Sequence, residues 1–275
     1  MNNGILVIIV TYFPNKDLLL KNIGAFIDHI DKVLIWENTP DSKKHIYRYI
    51  SHEKVEYCGD GINSISHALN YAWSYAIDNS YKYLLTMDQD SIWNNFPLFL
   101  KETIFNSEAP EGIYGPVVND EKYEEKFHPK ILITSGMLVP VKILTETNGY
   151  NEDFIIDGVD SWFCYTAMEK GYNSFCIKGC YLLQNFGNFH GVSFLGYTFK
   201  TLDYPPRRLY EIYKSYIALS RRFKLTNEYK KQFLLYLMFK WPIKIILVEN
   251  NKIKKIESII KGIMAGVSYN MKKHV

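Results

Sequence analysis

The sequence has few cysteines and no long uninterrupted apolar run. Its four cysteines, Cys58, Cys164, Cys176 and Cys180, include no Cys-x-x-Cys pair and no spacing typical of a metal site. Buried thiols in a reducing compartment are therefore expected, which predicts a cytoplasmic protein. The apolar segment at residues 233–248 is interrupted by two lysines and a proline. It is also shorter than the roughly 20 residues that a membrane-spanning helix needs, so no span is predicted.

Low-complexity sequence is also absent from the 275 residues, of which 47% are hydrophobic and 22% charged. Such a chain can bury a sizeable core, which argues against disorder as its main state. Charge is uneven, because residues 1–199 carry a net −9 and residues 200–275 a net +12. We therefore expect a domain at residues 1–199 and a basic, helical C-terminal region at residues 200–275. That region either meets an anionic surface, such as a membrane or phosphate groups, or is simply solvated. No nucleic-acid partner is expected.

Strand-like and helix-like segments alternate over the first hundred residues. The predicted strands are residues 5–10, 32–37, 54–58 and 82–87. Apolar residues at helical spacing, from Leu19 to Ile30 and from Ile65 to Ile77, predict helices between them. The first strand has no basic segment before it, which argues against a secretion signal. This order predicts an α/β fold with a mostly parallel, doubly wound sheet flanked by helices.

Polar side chains follow each of the four predicted strands. They are Thr11 and Tyr12, Glu37 and Asn38, Asp60, and finally Asp88 and Asp90. Ligands of parallel sheets bind at the carboxyl ends of the strands, so these residues predict a binding rim. Strands also end often in ordinary polar turns, which is the alternative interpretation of each residue alone.

Asp88 and Asp90 are separated by one residue at the end of a buried strand. Their carboxylates can converge, and together with a phosphate they suit Mg²⁺ or Mn²⁺. The alternative is a turn in which each carboxylate caps a backbone N–H. Two enzyme classes place such a pair after a buried strand. They are dehalogenase-type phosphatases, whose motif usually ends the first strand, and glycosyltransferases of the GT-A fold.

Six segments along residues 5–190 carry a resemblance to the second of these classes. They are IIVTYFP (Ile8–Pro14), VLIWENT (Val33–Thr39), NSISHALNYAWSYA (Asn63–Ala76), LLTMDQDS (Leu84–Ser91), LITSGMLVP (Leu132–Pro140) and GYNEDFIIDGVDSWFC (Gly149–Cys164). In this order they are similar to the VTYNP, IIVDNxS, NxGIAxALNxGxxxA, LTLDQDS, LITSGxLxP and GFDEDLFIDYVDTEWC segments of inverting glycosyltransferase family 2, in its rhamnosyltransferase-like branch. The resemblance implies a Rossmann-like GT-A domain over residues 1–199 that binds a nucleotide sugar and carries the catalytic residues.

The resemblance also implies roles for individual side chains. The donor nucleotide would be bound by Thr11, Tyr12, Glu37, Asn38, Asp60, Asp88 and Asp90. Asp88 and Asp90 would in addition hold Mn²⁺ or Mg²⁺, and Asp160 would be the general base. The acceptor or donor-sugar side would include Thr134, Ser135, Gly136, Asp157 and Trp162. Acidic residues are also favoured at a helix N-terminus on structural grounds alone, so Asp157 and Asp160 can be read as caps.

Three positions depart from the pattern of the branch. Trp162 stands where a glutamate is usual, and Gln184 stands where a histidine is frequent, with His190 six residues further on. The segment Arg207–Ser215 replaces the RYYxxRN of the branch. These changes affect the positions that would contact the metal and the acceptor.

The implied activity is transfer of a sugar from dTDP-rhamnose or a UDP-sugar to a saccharide acceptor that is linked to a lipid, as a step of surface polysaccharide synthesis. The alternatives are a dehalogenase-type phosphatase and a non-catalytic sugar-nucleotide-binding homologue. An apolar face from Ile253 to Val267, flanked by lysines, predicts an amphipathic helix. That helix either docks peripherally on the inner face of an anionic cell membrane or packs against the rest of the protein.

Overall fold

A computed structural model describes residues 3–40, 43, 47–119, 131–184, 190–194, 197–225 and 227–270. The chain divides into two compact units. The first consists of Met1–Ile155 and Val159–Asn185, and the second of Ile156–Gly158 and Phe186–Val275. The domain boundary expected at residue 199 stays a prediction, and the two units are described separately.

The first unit is built on a sheet of eight strands in the described part of the chain. They are β1 (Ile5–Thr11), β2 (Lys32–Glu37), β3 (Val55–Cys58), β4 (Tyr83–Asp88), β5 (Ile92–Asn94), β6 (Gly112–Val118), β7 (Met137–Pro140) and β8 (Asn173–Leu183). Their order is β3-β2-β1-β4-β7-β6-β8-β5. The pairs β1–β2, β1–β4, β2–β3 and β6–β8 are parallel, whereas β7 and β5 run antiparallel to their neighbours. The mostly parallel α/β sheet is confirmed.

Strand β1 is a continuous apolar, largely β-branched run, which is typical of a parallel strand whose two faces are both covered by helices. Residues Ile5 to Ile9 are fully buried. The helices of this unit are α1 (Lys16–Gly24), α2 (Ile65–Asp78), α3 (Phe96–Glu102), α4 (Val141–Glu146) and α5 (Val159–Glu169). Side chains of α1 and α3, such as Leu19 and Phe96, share one apolar cluster with Val7 and Ile9. Helix α2 contacts β1 and β4.

The helix predicted from Leu19 to Ile30 is shorter than its apolar spacing indicates. Helix α1 ends at Gly24, and a separate 3₁₀ turn covers Ile27–His29. The N–H groups of Ala25 and Phe26 donate to carbonyls three residues back, at 3.1 Å each, which tightens the chain out of the α-helix. Phe26 and Ile30 still reach the core, so the apolar pattern reported burial correctly although the helix had ended.

The second unit is mainly helical. It contains an antiparallel pair, β9 (His190–Phe194) with β10 (Tyr197–Thr201), and the helices α6 (Pro206–Arg222), α7 (Asn227–Gln232), α8 (Trp241–Val248) and α9 (Lys252–Val267), with a π-helix at Phe233–Lys240. Its apolar cluster joins residues of α6, α8 and α9, including Leu209, Tyr213, Trp241 and Ile259. No helix in the described residues is long and apolar enough to cross a membrane.

Helix α9 packs along α6 through only part of the isoleucine stripe that its sequence suggests, together with residues beside that stripe. Its buried residues are Lys255, Ile259, Gly262 and Gly266. A Cβ at Gly266 would lie 2.6 Å from Cβ of Ile217, so the two helices approach closely because this position has no side chain. Ile253 and Ile260, which belong to the predicted apolar face, are 85% and 53% exposed. Part of the apolar stripe therefore faces solvent.

Candidate active site

Three of the four strand ends at which a binding rim was predicted are the carboxyl ends of the neighbouring strands β1, β2 and β4. In the sheet register Thr11 of β1 pairs with Glu37 of β2, and Val10 pairs with Asp88 of β4. The polar residues that end these strands therefore lie at one edge of the sheet, as parallel pairing requires.

The turn that carries Asp88 and Asp90 is fixed by buried polar side chains. Nδ2 of Asn22, from α1, donates to the carbonyl of Asp88 at 2.6 Å, and the N–H of Asp88 donates to Oγ of Ser135 at 3.1 Å. The Ser135 hydroxyl in turn donates to Oγ of Ser91 at 2.7 Å. Burial raises the pKa of Asp90, an effect that its own backbone N–H partly offsets. A desolvated carboxylate on a fixed turn is a favourable position for a cation.

The Thr134–Gly136 segment supports this turn from the strand beside it. The N–H of Gly136 donates to the carbonyl of Thr86 at 2.7 Å, and the Thr86 hydroxyl donates to the carbonyl of Thr134. Gly136 has φ of +81°, and a Cβ there would meet the Pro116 ring at 2.9 Å. Glycine is therefore required at this position on two grounds. The segment was expected on the acceptor or donor-sugar side, and that role stays a prediction.

Gln89, between the two aspartates, connects the turn to the end of β1. Its Oε1 accepts from the N–H of Tyr12 at 2.7 Å, and its Nε2 donates to the Tyr12 carbonyl at 3.2 Å. Sequence reasoning missed Gln89 and Asn22 as parts of the site. The position of Gln89 inside the motif was a usable signal, whereas nothing near Asn22 in the sequence indicates a contact with Asp88.

Gln184 contacts the first aspartate directly. Its Nε2 donates to Oδ2 of Asp88 at 2.5 Å, and its backbone is held by Asn119 through hydrogen bonds of 2.7 and 2.8 Å. Its Oε1 is buried and makes no hydrogen bond within the described residues. Gln184 thus occupies the place that the resemblance gives to a histidine. The side chain of His190 and residues 185–189 lie outside the described part of the chain.

Oxygen atoms of Asp88, Asp90 and Gln184 match the preference of Mg²⁺ and Mn²⁺ for hard oxygen ligands. The buried Oε1 of Gln184 without a hydrogen bond is the observation that favours this fit. Across the described residues there is no group of three or more His, Cys, Asp and Glu side chains that could hold a metal. A divalent ion there would therefore need Gln184 or oxygens of the substrate to complete its coordination.

Thr11, Glu37 and Asn38 already have protein partners. The Thr11 hydroxyl donates to the Trp36 carbonyl at 3.0 Å, and Asn38 accepts from Nε1 of Trp36 at 3.0 Å. Glu37 is buried and pairs with Arg48, whose Nη2 lies 2.7 Å from Glu37 Oε2. Tyr12 is half exposed and remains accessible at the rim. The nucleotide contacts predicted for these residues stay predictions, and Arg48 is a charged neighbour that the sequence did not indicate.

Asp60 belongs to a separate polar cluster with His67 and Glu152. The two ring nitrogens of His67 lie 2.7 Å from Asp60 and 2.9 Å from Glu152. Burial alone would lower the pKa of His67, but the two carboxylates raise it overall. Burial alone would raise the pKa of Asp60, but a hydrogen bond from the N–H of Ile62 and the contact with His67 lower it overall. This arrangement stabilises the imidazolium form of His67.

Asp160 lies in the first turn of α5, where its Oδ1 accepts from the N–H of Ser161 at 2.7 Å. Trp162, in contrast, is buried, with its ring 5.0 Å from that of Phe154. The position that usually carries a glutamate thus contributes to the apolar core. Asp157 belongs to the second unit, where burial raises its pKa although Arg208 acts in the opposite direction. The general-base role expected of Asp160 and the acceptor or donor-sugar roles expected of Asp157 and Trp162 stay predictions.

Comparisons with known proteins identify the class to which this fold belongs. No family model matches the chain. It is 24% identical over 247 residues to the dTDP-rhamnosyl transferase RfbF of Shigella flexneri, covering 80% of this chain and 81% of that one. It also resembles the mannosyltransferase PcManGT of Pyrobaculum calidifontis, solved with GDP-Man and Mn²⁺ (TM-score 0.57, 14% identity, 97% and 76% of the two chains). A third match is S. aureus TarS 1–349 with UDP-GlcNAc (TM-score 0.58, 13% identity, 96% and 81%).

The fold is the GT-A fold, and the three proteins that the chain resembles are sugar transferases by name or were solved with a nucleotide sugar. Within this class it is similar to the rhamnosyltransferase-like branch of family 2, as its motifs predicted. The phosphatase alternative is not supported, because Asp88 ends β4 inside a sheet that matches glycosyltransferases.

Proposed function

We propose that the protein transfers a sugar, with inversion, from a nucleotide diphosphate donor to a saccharide acceptor in surface polysaccharide synthesis. The observation that carries this proposal is the fixed turn at the end of β4, where Gln184 contacts Asp88 and Asp90 is desolvated. The donor is dTDP-rhamnose or a UDP-sugar. The relative named as a dTDP-rhamnosyl transferase and the neighbour solved with UDP-GlcNAc support these two choices.

Asp88 and Asp90, with the Gln184 side chain in contact with Asp88, would hold Mn²⁺ or Mg²⁺. When bound, such an ion supplies positive charge that stabilises the leaving nucleoside diphosphate. The Mn²⁺ in the mannosyltransferase structure supports this assignment. The protein contributes a preformed position, because Asn22 and Ser135 fix the backbone of the turn independently of any ligand.

Asp160 is proposed as the general base. Asp160 lies in the first turn of α5, where the positive end of the helix dipole favours a carboxylate, the group that a general base of this kind requires. In the transfer step the acceptor oxygen bonds to the anomeric carbon and the bond from that carbon to the diphosphate oxygen breaks. The proton of the acceptor hydroxyl passes to Asp160.

Binding of the donor and release of nucleoside diphosphate test these roles. Asp90→Ala should lose Mn²⁺-dependent binding of the donor, measured by calorimetry, whereas the exposed Asp78→Ala should bind as the parent does. Asp160→Asn should reduce turnover by roughly 10²-fold at near-normal donor affinity. Unchanged donor binding in Asp90→Ala would refute the metal role. Full turnover in Asp160→Asn would refute the base. Donor binding without any release in the parent protein would favour a non-catalytic homologue.

A lipid-linked acceptor would require the enzyme to reach a membrane, and the second unit has a surface suited to this. Ile246, Ile253 and Ile260 are more than half exposed, and Lys252 and Lys254 beside them are exposed as well. Apolar side chains with flanking lysines favour an anionic bilayer surface, at about 1 kcal/mol for each lysine near it. We assign peripheral contact with the inner face of the cell membrane to this surface.

Sedimentation with anionic vesicles tests the membrane contact. The parent protein should bind at low salt and bind less at high salt, because salt screens the attraction. Ile253→Ser should weaken binding, whereas Ile77→Ser, at an exposed site in the first unit, should not. Removal of residues 250–275 is a poor test, because it would also remove the buried Lys255. Failure of the parent protein to bind such vesicles at low salt would contradict the assignment.

A further inference from the structure

The second unit contains a cavity of about 240 Å³ that the donor, metal and general-base roles proposed above do not use. Its walls include the aromatic residues Tyr204, Tyr236 and Trp241 and the charged residues Asp157, Arg208 and Lys244. The volume is below the roughly 300–1,000 Å³ of sites that enclose drug-sized ligands. The cavity can therefore enclose one small ring and not a whole nucleotide sugar.

The aromatic walls are held in position by one another. The ring of Trp241 lies 5.7 Å from that of Tyr204 and 5.9 Å from that of Tyr236, and its Nε1 donates to Glu249 at 3.3 Å. The guanidinium of Arg208 lies 4.2 Å from the centre of the Tyr204 ring. Rigid aromatic faces beside polar groups are well suited to a ligand that has both apolar C–H and hydroxyl surface.

Two residues that line this cavity, Asp157 and Arg208, share one hydrogen bond of 3.4 Å from Nη2 to Oδ1, but each also has a buried polar atom that makes no hydrogen bond within the described residues. These two atoms are Oδ2 of Asp157 and Nε of Arg208, which lie 3.4 Å apart as an ion pair without hydrogen-bond geometry. Buried polar atoms in this state are costly, and native proteins normally satisfy them with protein, water or ligand. One of the two atoms is an acceptor and the other is a donor.

A ligand hydroxyl fits both atoms, because a hydroxyl can donate to Asp157 and accept from Arg208. A phosphate fits less well, since it has only acceptors for Arg208 and would be repelled by the adjacent carboxylate. The size, the aromatic walls and this donor–acceptor pair are the properties of a site for one sugar ring.

We propose that this cavity binds a single pyranose ring of the saccharide acceptor. The part of this statement that concerns the acceptor rests on the proposed transferase function. In the sequence Asp157 precedes Asp160, the proposed base, by three residues. The binding of a sugar ring by the cavity does not depend on the donor or on a metal.

Ligand-observed saturation-transfer NMR on the full chain, without donor or metal, tests the binding. The probes are the methyl pyranosides of glucose, galactose, mannose, rhamnose and N-acetylglucosamine, with inorganic phosphate as a separate probe. At least one pyranoside should bind the parent protein. Tyr204→Ala and Arg208→Gln should each weaken that binding roughly tenfold or more. The matched controls are Tyr210→Ala and Arg207→Gln, because these neighbouring residues do not line the cavity.

Leu202→Phe provides a variant that keeps every charged group. Leu202 lines the cavity, so a larger side chain should fill it and abolish pyranoside binding while circular dichroism and Tm stay near those of the parent. Absence of binding by all five pyranosides at tens of millimolar, or equal binding by the parent and Leu202→Phe, would overturn the proposal. Binding of phosphate alone would overturn it as well.

The proposed function is tested separately by nucleoside diphosphate release. If release is normal and no pyranoside binds, the transferase stands and the sugar site is wrong. If a pyranoside binds and no donor is bound or turned over, the sugar site stands and the transferase proposal is wrong. If both hold, Leu202→Phe should raise KM for the acceptor and leave donor affinity unchanged.

Discussion

Lys255 is the residue whose replacement tests the structure of the second unit most directly. Its Nζ donates to Oε2 of Glu249 at 2.7 Å and also to Asp203, and the side chains of Lys255 and Glu249 are 2% and 0% exposed. Glu249 in addition accepts from the Thr201 hydroxyl at 2.5 Å and from Trp241. The pair thus joins α9 to the residues that follow α8 and to the end of β10.

Lys255→Ala should be strongly destabilising, because it leaves the Glu249 carboxylate buried without its cation. Removal of one partner from a buried ion pair typically costs about 3–5 kcal/mol in the free energy of unfolding. This is a large share of the roughly 5–15 kcal/mol that stabilises a typical folded protein. At about 2–4 °C per kcal/mol, we expect Tm to fall by roughly 6–20 °C.

Urea denaturation and thermal melting, followed by circular dichroism, measure this effect. The adjacent Lys254 is exposed, so Lys254→Ala is the matched control and should change stability by no more than about 0.5 kcal/mol. The double variant Lys255→Met with Glu249→Gln removes both charges, and it should be more stable than Lys255→Ala. Equal stability of Lys255→Ala and Lys254→Ala would refute the buried pair. A double variant less stable than Lys255→Ala would refute the unpaired carboxylate as the cause.

Two further predictions concern other parts of the chain. The raised pKa of His67 adds stability below its unfolded value of about 6.5 that is lost as pH rises through the folded value. The lowered pKa values of Asp60 and Glu152 add stability that is lost as pH falls below about 4. His67→Gln should therefore reduce the free energy of unfolding more at pH 5.5 than at pH 8.5, and the difference should be under about 1 kcal/mol because these groups are partly exposed. Equal reductions at the two pH values, measured by urea denaturation, would contradict this prediction. Gly266→Ala should destabilise the α6–α9 contact by about 1–3 kcal/mol. The control is Gly24→Ala, whose new Cβ meets no atom within 4 Å, and it should be neutral or stabilising. A Gly266→Ala variant with the Tm of the parent would contradict the prediction and show that the two helices can move apart.

Much of the first unit could be predicted because its signals are local. The strand at residues 32–37 has the predicted bounds, those predicted at 5–10 and 54–58 differ by one residue at one end, and that predicted at 82–87 is displaced by one residue at both ends. Apolar runs and helical spacing report burial, and a βαβ order admits few sheet topologies. The end of α1 at Gly24 could not be read this way, since Phe26 and Ile30 continue the same apolar spacing into the core after the helix has ended.

The supports of the site were less accessible to sequence reasoning. Asp88 is contacted by Asn22, Ser135 and Gln184, which lie 66, 47 and 96 positions away in the chain, respectively. Polar residues of this kind have no period or motif that pairs them. The place of Gln184 followed from the family resemblance, but its contact with Asp88 required the end of β8 to be located.

The sequence by itself determined the α/β order, the carboxylates that follow β4 and the basic character of residues 200–275, because composition and short spacings encode these features. Only the tertiary structure decided which side chains the carboxylates meet and which face of α9 is buried. It placed Arg48 on Glu37, Trp162 in the core, and Lys255 with Glu249 in the interior of the second unit. These pairings depend on how distant segments pack, and packing is fixed by shape and desolvation over the whole unit, which no local pattern records.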